Sequence, residues 1–169
     1  MNKFITILAF AFCCLKITAQ PHVFFSKTAQ LSYMKTTTGQ GIQADLLNIT
    51  KAGFMHRFSL AYDMGEVGKA TTKYQIAKVD FAMIHSIWSH ELTFVNIGWG
   101  CFISRESLSN KLLSQSDTQI SPGITLLLEF EIYFNKFGLF MVGEQRYRPM
   151  SLIGDWEWRA GAGLKYVFK

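Results

Sequence analysis

Four histidines, one cysteine beyond the N-terminal segment and a scatter of charges are the residues here whose types could do chemistry. A hydrolytic site needs a histidine within reach of a serine hydroxyl. His85-Ser86 and Ser89-His90 are the only adjacent pairs. Neighbours on a strand point to opposite faces, so His85 and Ser86 cannot share a proton. Ser89-His90 reads as a short turn, where no lipid-hydrolase site is expected. His22 and His56 have no neighbouring serine or carboxylate, and the histidines lack metal-ligand spacing. Gly161-x-Gly163 lies within an alternating segment that no helix follows, so it is not a nucleotide loop. Cys101, among Val95, Ile97, Trp99 and Ile103, reads as a packing residue. No catalytic residue, metal site, cofactor or small-molecule substrate is expected.

The charges are more informative. Arg57, Lys78, Arg146, Arg159 and Lys165 oppose Asp63, Asp80, Glu129, Glu131, Glu144 and Glu157, and each lies on the polar parity of an alternating segment. The two signs nearly cancel. An eight-stranded barrel has an interior only wide enough to be filled by side chains. Buried charges must be paired. The set predicts a lumen plugged by ion pairs, with a structural role and no open pore.

The elements that would position these charges are strands. Trp156 to Phe168 (W-E-W-R-A-G-A-G-L-K-Y-V-F) is apolar at every even position, with Glu157, Arg159 and Lys165 at odd ones. A period of two means a β-strand. Ile120 to Phe134 sets Ile124, Leu126, Leu128 and Phe130 against Glu129 and Glu131, and Phe54 to Met64 alternates as cleanly. Further strands are predicted near Thr28–Lys35, Ile42–Ile49, Lys73–Ile87, Leu92–Ile103 and Phe137–Tyr147. Strand two alternates poorly. That makes eight strands, the even number of single-chain bacterial barrels. Polar stretches at Thr36–Gly41, Gly65–Thr72, Ser104–Thr118 and Arg148–Asp155 read as long loops, up to roughly fifteen residues, alternating with short turns. Aromatics fall at strand ends: Phe54, Phe134, Phe137, Tyr166 and Phe168 on one rim, Tyr62, Tyr147 and Trp156 on the other. Trp88 falls on the lumen parity, which does not fit a girdle.

The 169 residues suit one domain, and no apolar run beyond the N-terminus reaches the ~20 residues of a membrane helix. Met1-Asn2-Lys3, the apolar Phe4–Leu15 and Ile17-Thr18-Ala19 make a signal peptide over residues 1–19, leaving residues 20–169 as the barrel domain. Its removal takes Lys3 and Lys16, so 15 basic against 12 acidic residues leave +3 in place of +5. With no basic stripe, direct nucleic-acid binding is not expected. A lone cysteine excludes a disulfide framework.

The C-terminal part, roughly Phe54 to Phe168, resembles the TraO proteins of conjugative transposons. The resemblance rests on Thr72-Lys73-Tyr74-Gln75, on Gly98-Trp99-Gly100 followed by Asn110-Lys111-Leu112-Leu113, and on Leu128-Glu129-Phe130-Glu131-Ile132-Tyr133. Glu144-Gln145-Arg146 and Gly161-Ala162-Gly163-Leu164-Lys165-Tyr166 then follow in the same order. It implies a component of a mating apparatus that moves DNA between cells, with other apparatus proteins as partners and no catalytic residues to carry over.

The expected protein is therefore an all-β, eight-stranded antiparallel transmembrane barrel of the outer membrane, surrounded by outer-membrane lipid, non-enzymatic and acting in conjugative transfer. A general structural or adhesion barrel is the first alternative. Its partner contact would be the Arg105–Thr118 loop, with Arg105, Glu106, Asn110, Lys111 and Asp117. A lipid-modifying enzyme and a lipocalin-like soluble barrel, apolar parity inward, are the others.

Overall fold

A computed structural model describes residues 26–50, 54–67, 72–110 and 115–168. The expected signal peptide and His22 lie outside the described residues. Eight strands follow in chain order: β1 Lys27–Thr36, β2 Gly39–Ile49, β3 Phe54–Val67, β4 Thr72–His90, β5 Thr93–Asn110, β6 Gln115–Phe134, β7 Phe137–Tyr147 and β8 Trp156–Phe168. Each pairs antiparallel with its sequence neighbours, and β8 closes on β1 from Lys27↔Phe168 to Thr36↔Arg159. Closure leaves no free sheet edge along the paired length, as a strand-built membrane protein requires.

Period-two alternation runs along the strands, broken once in β4, and its polarity is inverted relative to a soluble protein. Outward positions hold Trp99, Ile103, Met141, Trp158 and Leu164, each more than half exposed. Inward positions hold charges and a smaller apolar set. Among the described residues 31 large apolar side chains are exposed. At ~2 kcal/mol for each such side chain kept from water, their exposure would cost tens of kcal/mol, several times a domain's net stability. The outer face is built for hydrocarbon, and a lipocalin-like barrel with its apolar parity inward is excluded.

The connections 50–53, Glu91-Leu92 and Asn135-Lys136 define a turn end, which also holds the start of β1 and the end of β8. Asn135 and Glu91 both take left-handed backbone, at φ 60° and 50°. Asn tolerates that region in a tight hairpin, whereas Glu91 is held there against its preference.

The opposite, loop end departs from the expected long loops. Ser104–Thr118 is mostly strand: β5 continues to Asn110 and β6 begins at Gln115, with only 111–114 between them. β3 likewise continues to Val67, and β2 begins at Gly39. Polarity there reports water on both faces and does not report loss of the ladder. Only 148–155 remains a loop of eight residues. The barrel is therefore taller along β3–β6. Pro122 falls where β6 pairs with β5 alone, since its pairing with β7 starts at Ile124. A ladder that needs one side of the strand only can accept a proline.

β4 also continues through Ser89-His90, which is strand and not a turn. A register shift between Ser86 and Trp88 inserts Ile87 as a bulge. The extra residue flips the following parity. Trp88 returns to the outer face, 48% exposed and stacked on His90. The aromatic rims form as expected, with Phe137 against Tyr166 at one end and Tyr147 against Trp156 at the other.

Candidate functional site

Ladder pairing sorts the inward side chains into layers. One row runs Arg57, Ala82, Gly100, Thr125 and Arg146 across β3 to β7. The small residues between the two arginines leave room for guanidinium groups to reach inward. Both meet Glu144 of β7, whose carboxylate accepts from Arg57 Nη2 at 3.0 Å, Arg146 Nε at 3.1 Å and Arg159 Nη1 at 2.8 Å. Arg146 also holds Asp80 at 2.8 Å. Arg159 continues to Asp63 at 3.0 Å, Lys78 pairs with Asp63, and Lys78 reaches Glu157 at 2.9 Å. All of these side chains are buried.

A second charged cluster lies toward the turn end. Lys165 Nζ sits 2.8 Å from Glu129 and 2.7 Å from Glu131. Asn96 donates to both carboxylates and accepts from Ser86 Oγ at 2.6 Å. From β2 to β6 the next ladder row is apolar, with Ile49, Met55, Ile84, Gly98 and Leu127, and on β7 it reaches Glu144. Ile49, Met55, Ile84 and Leu127 form one buried cluster with Met34, Leu47, Ala82, Phe140 and Val142. An ion crossing over this apolar patch would have to leave water, at a cost of several kcal/mol.

A third cluster closes the loop end. Glu106 of β5 accepts from Arg148 Nη1 at 3.0 Å, Ser151 Oγ at 2.9 Å and the Leu152 amide at 2.9 Å. Ser121 Oγ donates to the Met150 carbonyl at 2.9 Å. The 148–155 loop is thereby folded inward onto β5 and β6 as a latch.

All eleven residues expected in the lumen are buried there: Arg57, Asp63, Lys78, Asp80, Glu129, Glu131, Glu144, Arg146, Glu157, Arg159 and Lys165. The expected partner contact fares differently. Glu106 is fully buried on the inner face, because the ladder continues past Ile103 and parity puts even positions of β5 inside. Arg105 and Asp117 are exposed, Asn110 ends β5, and Lys111 lies outside the described residues. Arg105 to Thr118 is thus not one contiguous loop.

Sequence reading missed Asp45, Arg148, Gln43 and Asn96. Asp45 was hidden because the inner side of β2 is half apolar, with Leu47 and Ile49 pointing in. Arg148 sits just past β7, where its backbone gives no strand signal. With Asp45, Glu106 and Arg148 added, the buried charges are eight acidic and six basic, so the interior carries an acidic excess of two in place of near balance. Of the chemical candidates, His56 and His85 lie on the outer face against Phe81 and Phe54, and Ser86 lies inside. No cluster of three or more metal-ligating side chains occurs among the described residues.

A closed eight-stranded antiparallel barrel with an apolar outer face and a charged, filled lumen is the fold of the small outer-membrane barrels. No family model matches the chain, and no curated protein matches it. Solved structures do. Neisserial surface protein A is similar with a TM-score of 0.66 at 12% identity, covering 85% of this chain and 96% of that one. A major outer membrane protein from Thermus thermophilus has a TM-score of 0.68 at 10% identity, covering 87% and 100%. Ail, the attachment invasion locus protein of Yersinia pestis, has a TM-score of 0.53 at 13% identity, covering 85% and 95%. At these identities the likeness is one of fold.

Proposed function

We propose that this protein is a non-enzymatic outer-membrane barrel whose interior is structural and whose work is done at its surface, as a component of a conjugative DNA-transfer apparatus. The observation that carries the structural part is the packed lumen, where buried ion pairs and an apolar patch take up the space a conduit would need. His56 and His85 lie on the outer face against aromatic rings and not in a serine or carboxylate constellation, which supports a non-catalytic reading. The conjugative part rests on the ordered resemblance to the TraO proteins from Phe54 to Phe168.

Two experiments test the proposal separately. The detergent-extracted barrel should migrate faster unboiled than boiled, and a soluble protein without that shift would refute the outer-membrane reading. Deleting the gene should lower mating frequency; unchanged transfer would refute the conjugative role while leaving the barrel intact. Adhesion through the loop end is the second reading, favoured by the likeness to a protein described as an attachment invasion locus product. Undiminished mating with lost surface attachment would select it.

A further inference from the structure

The outer wall of β3–β6 carries a feature that neither lumen nor latch explains. A groove of about 330 Å³ opens on the lipid side, lined by Phe58, Val79, Phe81, Cys101, Ile103 and Pro122. Its floor is low because Cys101 and Pro122 are small beside Trp99 and Ile124, their next outward neighbours on β5 and β6. At the loop end of the groove stands Arg105. It is the next outward residue after Ile103 on β5, and it is exposed. Its ladder partners are Ala77 and Ile120, and Tyr62 pairs with Ala77 in the same row.

Arg105 is the only charge on the outward face of β5 and β6, and no carboxylate pairs with it among the described residues. The row beyond it is Met64, Gln75, Ser107 and Thr118, which is uncharged. The nearest outward carboxylate on this wall, Glu66, lies one row further on, beside Lys73. A cation at the membrane-water boundary, beside a tyrosine and above an acyl-sized apolar groove, is complementary to one kind of molecule.

We propose that this wall is a binding site for an anionic, phosphate-bearing lipid, with an acyl chain in the groove and the phosphate on Arg105. Guanidinium suits phosphate oxygens, which it can hold by two parallel hydrogen bonds. Ala77 beside it leaves that approach open. The inference rests on the membrane reading above, which places lipid against this face.

The test is native mass spectrometry of the full barrel in micelles, exchanged against an equimolar mixture of dioleoylphosphatidylglycerol and dioleoylphosphatidylcholine. Wild-type protein should retain the anionic lipid in about fivefold excess, the scale of one basic residue near a charged membrane surface. Arg105→Gln, at an exposed position, should bring the ratio to near parity. Arg105→Lys should recover part of the excess, and Lys35→Gln, on the outer face of β1, should leave it unchanged. Cys101→Trp should lower retention of both lipids by filling the groove. Equal retention by wild type, or an undiminished preference in Arg105→Gln, overturns the site. Retention of no lipid at all, together with no heat-modifiable mobility, overturns the membrane reading itself.

Discussion

Glu144 is the residue on which the interior turns. Three guanidinium groups converge on its carboxylate, from β3, β7 and β8. Truncating one partner of a buried ion pair costs about 3–5 kcal/mol, because the other charge stays behind unpaired. Glu144→Ala takes the one close partner of Arg57, while Arg146 keeps Asp80 and Arg159 keeps Asp63, and should fall toward the top of that range. The expected result is loss of the fast-migrating folded band well below the wild-type unfolding temperature. Glu157→Ala should be milder, since Glu157 is slightly exposed at the loop end and Lys78 keeps Asp63. Equal loss from both variants would contradict the central place given to Glu144. The eleven lumen charges could be read from parity alone. Their partners could not: Arg57 and Glu144 are 87 residues apart.

At the scale of elements, the latch separates the β7–β8 loop from an ordinary connection. Its backbone and side chains end on one buried carboxylate of β5. Glu106→Ala should release residues 148–155 without opening the barrel, because the β7–β8 ladder does not depend on them. Limited proteolysis should then cut near Met150 far faster than in wild type, while unboiled mobility stays that of a folded barrel. Protection equal to wild type would show that Ser121 and the loop's own hydrogen bonds suffice. The strand ends illustrate what alternation conceals. β7 and β8 match their expected bounds, Phe137–Tyr147 and Trp156–Phe168, because lipid makes one face apolar along the whole strand. β5 and β6 outrun theirs, because beyond the lipid both faces meet water and the contrast fades.

At the scale of the whole molecule, buried ion pairs and an apolar patch along β2 to β6 make a stoppered cylinder. Reconstituted in a planar bilayer, the barrel should show no stable ion conductance. Leu127→Ala, which only shortens one side chain of the apolar row, should not create any. Leu127→Asp, which places a carboxylate in the row between Glu129 and Thr125, should destabilise the fold before it conducts. A steady conductance in wild type would remove the structural reading of the lumen.

The chain by itself determined the class of fold and the face on which the eleven expected lumen charges lie, because a period of two is local and lipid on one side amplifies it. It located Glu129, Glu131, Arg159 and Lys165 inside from their own neighbours. What only the tertiary structure decided is who meets whom. Register and closure bring Lys165 of the last strand to Glu129, 36 residues earlier, and carry Glu106 from an expected surface loop into the barrel mouth. The bulge that turns Trp88 outward belongs there too. These outcomes depend on pairing across the sheet, and no short window of sequence contains both Glu129 and Lys165 or both Glu106 and Arg148.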